Sequence, residues 1–275
     1  MHQSMNILYF RKWYYRRQWA GFLSVMMLCL LIASGCSEGP EGPLEQLRAQ
    51  EDYRDWEIYS HDRVNILHPQ NHPQEPHFES ICEGYLRSAN SIAKRLDMPP
   101  FEDTLYIVFY SGFGQGRELS GQHWPFVKDG VIHFWRPSFV GVTLADFMAR
   151  RWSSTWPSRD IFHHGLRTLL DFSGRDYHER TLQLIDSSLF VPLKDLAISP
   201  EFVSDSERVY SAEAASLVAY ILAAHGPAKF KSVYEAPGPF DSIVPNLLGV
   251  GVDSLETGWL EFARRTVPPD TAASK

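Results

Sequence analysis

The spacing of hydrophobic residues along the chain changes period several times, and each change marks an element. Residues 56–67 (WEIYSHDRVNIL) alternate apolar and polar around His61 and Asp62, which predicts a hairpin. Three prolines make residues 69–76 a loop. Over residues 77–96 the apolar positions are Phe78, Ile81, Tyr85, Ala89, Ile92 and Leu96, a helical spacing stopped by Pro99 and Pro100. Cys82 falls on the apolar side of that helix. Residues 104–110 (TLYIVFY) are apolar on both faces and predict a central strand. Residues 130–135 (GVIHFW) predict another, closed by Pro137. Between the two strands, Gly112, Gly114 and Gly116 sit where a phosphate loop would. The sequence 117–121 (RELSG) offers no amphipathic helix after them, so a mobile loop is expected.

The second half of the chain is helical in period. Residues 143–171 (TLADFMARRWSSTWPSRDIFHHGLRTLLD) read as two short helices joined by a turn. Over residues 206–225 the apolar positions Ala214, Leu217, Val218, Ile221 and Leu222 predict a longer helix, ended by Gly226 and Pro227. Two more helices are expected near 239–248 and 254–265, the latter opened by a capping box of Asp253 and Glu256. Strands come first and helices later, so the fold class is α+β. There is no internal repeat.

The N-terminal end has a different character. Residues 1–18 carry Arg11, Lys12, Arg16 and Arg17 and no acid, and an apolar run follows over 19–32. That run is shorter than the ~20 residues a membrane-spanning helix needs, and it ends in small residues, as a secretory signal does. Ala33, Ser34, Gly35 and Cys36 resemble the bacterial lipoprotein lipobox, in which the cysteine is diacylated and becomes the first mature residue. The alternative is an ordinary signal peptide with an incidental cysteine. The residues after Arg16 and Arg17 match twin-arginine export poorly. Ser37 after the cysteine favours the outer membrane in a Gram-negative source.

The expected organisation is a signal peptide over 1–35, the lipidated Cys36 with a flexible Gly-, Pro- and Glu-rich tether over 36–50, a domain over 51–267, and a tail over 268–275. Losing the four positive charges of the signal from the 26 in the chain leaves 22 basic against 33 acidic residues, a net charge of -11. So acidic a surface has no electrostatic case for nucleic acid. Of the three cysteines, Cys29 leaves with the signal and Cys36 carries lipid, so Cys82 has no partner for an internal disulfide.

The predicted order of elements (hairpin, helix, TLYIVFY strand, a strand leading into a helix pair) resembles that of the peptidase-MA-like gluzincins. So does the later segment 210–221 (YSAEAASLVAYI), followed by His225, Gly226 and a basic helix. The likeness covers residues 53–265. It implies a small N-terminal mixed sheet with helices, followed by a mostly helical lobe. In that family the first helix of the pair carries His-Glu-x-x-His: two histidines one turn apart bind zinc, and the glutamate polarises the attacking water. A glutamate on the next helix, followed by Gly-Leu, completes the set. Here Ala145 and Ala149 stand in the histidine positions and Asp146 in the glutamate position. His164, within His163-His164-Gly165-Leu166, takes the place of the second-helix glutamate. No His-Glu-x-x-His occurs anywhere in the chain. The resemblance therefore implies a site that has lost zinc hydrolysis, and no cofactor is expected. A rebuilt zinc site would have to draw on His133, His163, His164, His178, Glu179 and Glu213.

Other chemistry is less marked. Asp146, Asp160, Asp171, Asp176 and Glu179 could supply a carboxylate pair for glycoside hydrolysis, but nothing in the sequence fixes their separation. There is no Gly-x-Ser-x-Gly elbow. Trp124, Trp135, Trp152 and Trp156 could line a cleft for sugars or extended peptides, or pack in the core. Arg150 and Arg151 sit where they would offset a helix C-terminal dipole. The expectation is a lipid-anchored cell-envelope protein with an inactive gluzincin-like domain that binds peptide, glycan or a partner protein. Its cleft would be lined by His164, Arg167, Tyr210, Trp124 and Asp146. The alternatives are a metal-dependent peptidase with non-standard ligands and a structural envelope lipoprotein.

Overall fold

A computed structural model describes residues 42–135, 140–155, 157, 160–198 and 207–267. The expected signal peptide, Cys36, the tail and Trp156 lie outside the described residues. The chain divides into two compact units, Met1–Leu47 and Arg48–Lys275. Residues 43–48, expected as tether, form a short helix, α1 (Pro43–Arg48), with Glu45 in its first turn and Arg48 in its last. Among the described residues no helix is long and apolar enough to cross a membrane.

The larger unit is α+β. Its five-stranded sheet contains β1 (Glu57–His61), β2 (Val64–His68), β3 (Leu105–Phe109), β4 (Phe126–Lys128) and β5 (Val131–Phe134), in the order β1-β2-β3-β5-β4. β1 and β2 form the expected antiparallel hairpin, with His61 opposite Val64. β3 runs parallel to β2 on one side and to β5 on the other. A parallel neighbour needs a long crossover, and α2 (Phe78–Arg95) supplies it between β2 and β3. Its buried stripe of Phe78, Cys82, Tyr85, Leu86, Ala89, Ile92 and Ala93 belongs to the same core as Val64, Ile66 and Ile107 of the sheet. β3 is central, as its two apolar faces require.

Two features of the sheet differ from expectation. β4 is a strand, paired antiparallel with β5 through Asp129 (φ 50°) and Gly130 (φ 76°). Two left-handed residues in a two-residue loop match the twist of the strands they join. The expected mobile loop at 112–121 contains a helix, α3 (Phe113–Ser120). Gly116 serves packing and Gly121 termination. A Cβ on Gly116 would lie 2.6 Å from the Trp135 ring, and Gly121 (φ 69°) closes the helix in a left-handed cap.

The rest is helical: α4 (Val140–Trp152), α5 (Asp160–Leu169), α6 (Tyr177–Asp186), α7 (Leu193–Leu196), α8 (Glu207–Glu235), α9 (Phe240–Leu248) and α10 (Val252–Thr266). Asp176 caps α6, accepting the His178 N–H at 2.9 Å and the Glu179 N–H at 3.0 Å. α8 breaks at Gly226 (φ 83°, ψ 164°) and resumes from Pro227. The expected capping box of α10 is absent because the helix starts at Val252 with Gly251 at its N-cap, which puts Asp253 inside the first turn. Asp253 pairs with Lys194 at 2.8 Å, and Glu256 accepts the Leu193 N–H. One continuous apolar core runs from Ile66 and Phe109 through Phe162 and Leu166 to Leu255 and Trp259.

Candidate functional site

α4 and α5 pack against each other, and their facing sides hold the positions singled out in the sequence. Ala145 and Ala149 are fully enclosed in the core. Asp146, between them, points to α5. Its Oδ1 lies 3.1 Å from His163 Nε2, and its Oδ2 accepts from Arg150 Nε at 3.2 Å, one turn along α4. On the far side of the ring, His163 Nδ1 meets the Tyr234 hydroxyl at 3.0 Å. Tyr234 comes from the second half of α8, so three helices close on this one chain of polar atoms.

The charges in the chain are set by burial and by each other. Burial alone would raise the Asp146 carboxyl, but the His163 ring and then Arg150 outweigh it and hold the group below the usual carboxylate range. For His163, burial outweighs the pull of Asp146, helped by Arg167 and His164, and lowers its affinity for a proton. The consistent assignment is a neutral ring that donates Nε2–H to Asp146 and accepts the Tyr234 O–H at Nδ1. Burial in turn raises the Tyr234 phenol well above its ordinary value.

Carboxylate, imidazole and hydroxyl in series have the order of a nucleophilic relay. Here the hydroxyl is a phenol made less acidic by burial. Asp146, His163 and Tyr234 are 9%, 3% and 2% exposed, so no substrate reaches the hydroxyl. The arrangement stabilises the join of α4, α5 and α8. It does not fit a zinc ion either, since Ala145 and Ala149 supply no donor and Asp146 and His163 are already committed to their partners.

The expectation for these residues changes in three ways. Asp146 lies in the core and does not line a cleft. His163, named only as a candidate ligand of a rebuilt zinc site, is its partner. Arg150 pairs with Asp146, and Arg151 pairs with Asp103 while lying 5.5 Å over the Phe101 ring. His164 and Arg167 sit half-buried on α5, close enough to His163 to influence its charge. Tyr210 is half-buried on α8 and packs against the core. Trp124 is 62% exposed on the segment between α3 and β4. The structure thus groups His164 and Arg167, and places Tyr210 and Trp124 on separate elements.

The remaining candidates are held in networks of their own. His133 accepts or donates at Tyr110 (2.9 Å), whose hydroxyl meets that of Tyr53 at 3.1 Å. Phe126 stacks on the His133 ring at 4.3 Å, and burial brings the imidazole down to about 4. Ser216 Oγ accepts the Trp259 indole N–H at 2.8 Å and lies 2.7 Å from His178 Nδ1. Glu213 is fully enclosed. Its Oε1 accepts the Val191 N–H at 2.9 Å, its Oε2 has no hydrogen-bond partner among the described residues, and burial pushes the acid up to about 8. Asp171 accepts the Tyr177 hydroxyl at 2.7 Å, while Asp176 is spent on its cap. Trp135 and Trp152 are core residues, the latter stacked on Phe230 with its indole N–H donated to the Leu96 carbonyl. Tyr234 had drawn no attention in the sequence. No protein-family model, no curated protein and no solved structure matches the chain, so the reading of its function rests on the geometry of α4, α5 and α8.

Proposed function

We propose that the chain is a lipid-anchored cell-envelope protein whose gluzincin-like domain captures a peptide, a glycan or a partner protein without cleaving it. The observation that carries this reading is the sealed Asp146–His163–Tyr234 chain. Where the resembled family would place zinc and an activated water, the interior is closed by alanines and by the buried carboxylate–imidazole contact of Asp146 and His163. The half-buried side of α5 carries an imidazole and a guanidinium, His164 and Arg167, three residues apart on one face. Such a pair suits a carboxylate or a sugar hydroxyl. The acidic, exported character expected from the sequence fits an envelope ligand and gives no electrostatic case for nucleic acid.

The test uses the full chain with Cys36 in place. Binding to a random peptide array and to purified peptidoglycan is measured for the native protein and for the double variant His164→Ala/Arg167→Ala. Loss of capture with an unchanged thermal midpoint is the expected result. Equal capture by both proteins rejects the assignment of the site, and chelator-sensitive peptide cleavage would replace it with a metal-dependent peptidase.

A further inference from the structure

Outside every network described above, His61, Glu79 and Glu83 bring one imidazole nitrogen and two carboxylate oxygens within 4.8 Å of one another. Two distant segments build the group. His61 ends β1 and shares the face of Tyr59, which packs on Phe78 at the start of α2 with ring centroids 5.4 Å apart. Glu79 and Glu83 lie one turn apart in α2, so they stand one above the other beside that strand end. Two carboxylates in this relation repel each other. Arg87 Nη1 relieves part of the repulsion by donating to Glu83 Oε2 at 3.1 Å, an exposed and therefore weak pairing.

Acids alone would not single out an ion. The imidazole does, because one nitrogen with two carboxylate oxygens suits a borderline transition metal better than magnesium or calcium. Zinc holds nitrogen and oxygen at about 2.0–2.2 Å, so two donors on one ion stand no more than about 4 Å apart. The separations here exceed that by under about 1 Å, which rotation of two exposed glutamates can close.

We propose that His61, Glu79 and Glu83 form a surface site for a divalent transition-metal ion, with zinc the favoured occupant and water completing its shell. The ion would tie the end of β1 to the first turns of α2. This site is independent of the α4–α5 region and of the function proposed for it.

The full chain, stripped with chelator and returned to metal-free buffer at pH 7, is titrated with zinc chloride in a calorimeter. One zinc per chain is expected. Affinity should fall at least tenfold in His61→Ala and in Glu79→Gln. It should hold or improve in Arg87→Ala, where Glu83 is released from its competitor. Circular dichroism confirms that these exposed variants keep their fold. Zinc uptake that is absent, or equal in His61→Ala and the native chain, overturns the proposal. Zinc that survives His61→Ala and disappears in His164→Ala also overturns it and moves the metal to α5.

Discussion

Asp146 and His163 show how much one residue can change when its neighbours are fixed. Removing the Asp146 carboxylate leaves the buried, neutral His163 N–H without an acceptor, at a cost of about 1–3 kcal/mol. Asp146→Ala should therefore lower unfolding stability by about that amount, with Asp146→Asn costing less because an acceptor for His163 remains. Tyr234→Phe removes a single hydrogen bond and should cost about 1 kcal/mol. Urea unfolding of the three variants measures the series, and an Asp146→Ala midpoint equal to that of the native chain would contradict it. The sequence held the signal for the correct histidine. On a helix each residue turns roughly 100°, so His163 borders the Phe162–Leu166–Leu170 stripe while His164 lies roughly 200° from Phe162. Aligning His164 to the glutamate of the resembled family hid that geometry. Tyr234 could not have been found this way, because its approach depends on where the second half of α8 points after Gly226.

Between elements, α5 approaches α8 closely at Gly165. A Cβ on Gly165 would stand 2.5 Å from the Ala214 carbonyl oxygen and 2.8 Å from Val218 Cγ2. The first of these neighbours is backbone, so a side chain can be admitted only by shifting a helix. Gly165→Ala gains helix propensity and still should lose about 1–3 kcal/mol to overpacking. Thermal unfolding decides the sign, and a variant as stable as the native chain would show that α5 can slide. Most elements were legible, since long periodic segments such as α2, β3 and the first half of α8 identify themselves. The misses have local causes. Asp129 and Gly130 are a strong two-residue hairpin signal, but the strand before them, β4, is only three residues long and half-buried. The glycines of α3 argue against a helix by propensity, and only the Trp135 ring explains Gly116. Asp253 and Glu256 spell a capping box, yet the N-cap falls two residues earlier, at Gly251, and the two acids turn to Lys194 and the Leu193 N–H.

The whole molecule carries two opposed sets of buried titratable groups. His133 titrates at about 4 in the fold against 6.5 ordinarily, so the unfolded chain takes up the proton first and stability is lost as pH falls from 6.5 to 4. Burial lowers His72, His163 and His178 as well, and they act in the same direction. Glu213 titrates at about 8 against 4.5, so the fold keeps a proton that the unfolded chain releases, and stability is lost as pH rises from 4.5 through 8. Each group contributes about 1.4 kcal/mol per pH unit within its window. Above 6.5 the histidines are silent and Glu213 acts alone, so the optimum lies near pH 6.5, with about 2 kcal/mol lost by pH 8. Glu213→Gln keeps an acceptor for Val191 and removes the ionisation. Its unfolding midpoint should stay flat from pH 6.5 to 8 while that of the native chain falls. Parallel declines in the two proteins would assign the alkaline loss elsewhere.

Cys82 gives this fold an internal clock. It lies on α2 without exposure, and burial pushes its thiol up to about 11. A disulfide reagent such as Ellman's attacks the thiolate, so the closed protein presents it with nothing to modify. The chromophore can be released only when α2 lifts from the sheet, and at low reagent concentration its rate reports how often that opening happens. Under the proposed processing, which removes Cys29 and acylates Cys36, no other sulfhydryl competes for the reagent. A spectrophotometer and an unmodified sample are then enough to time the opening of the core, with no label to attach and no engineered residue.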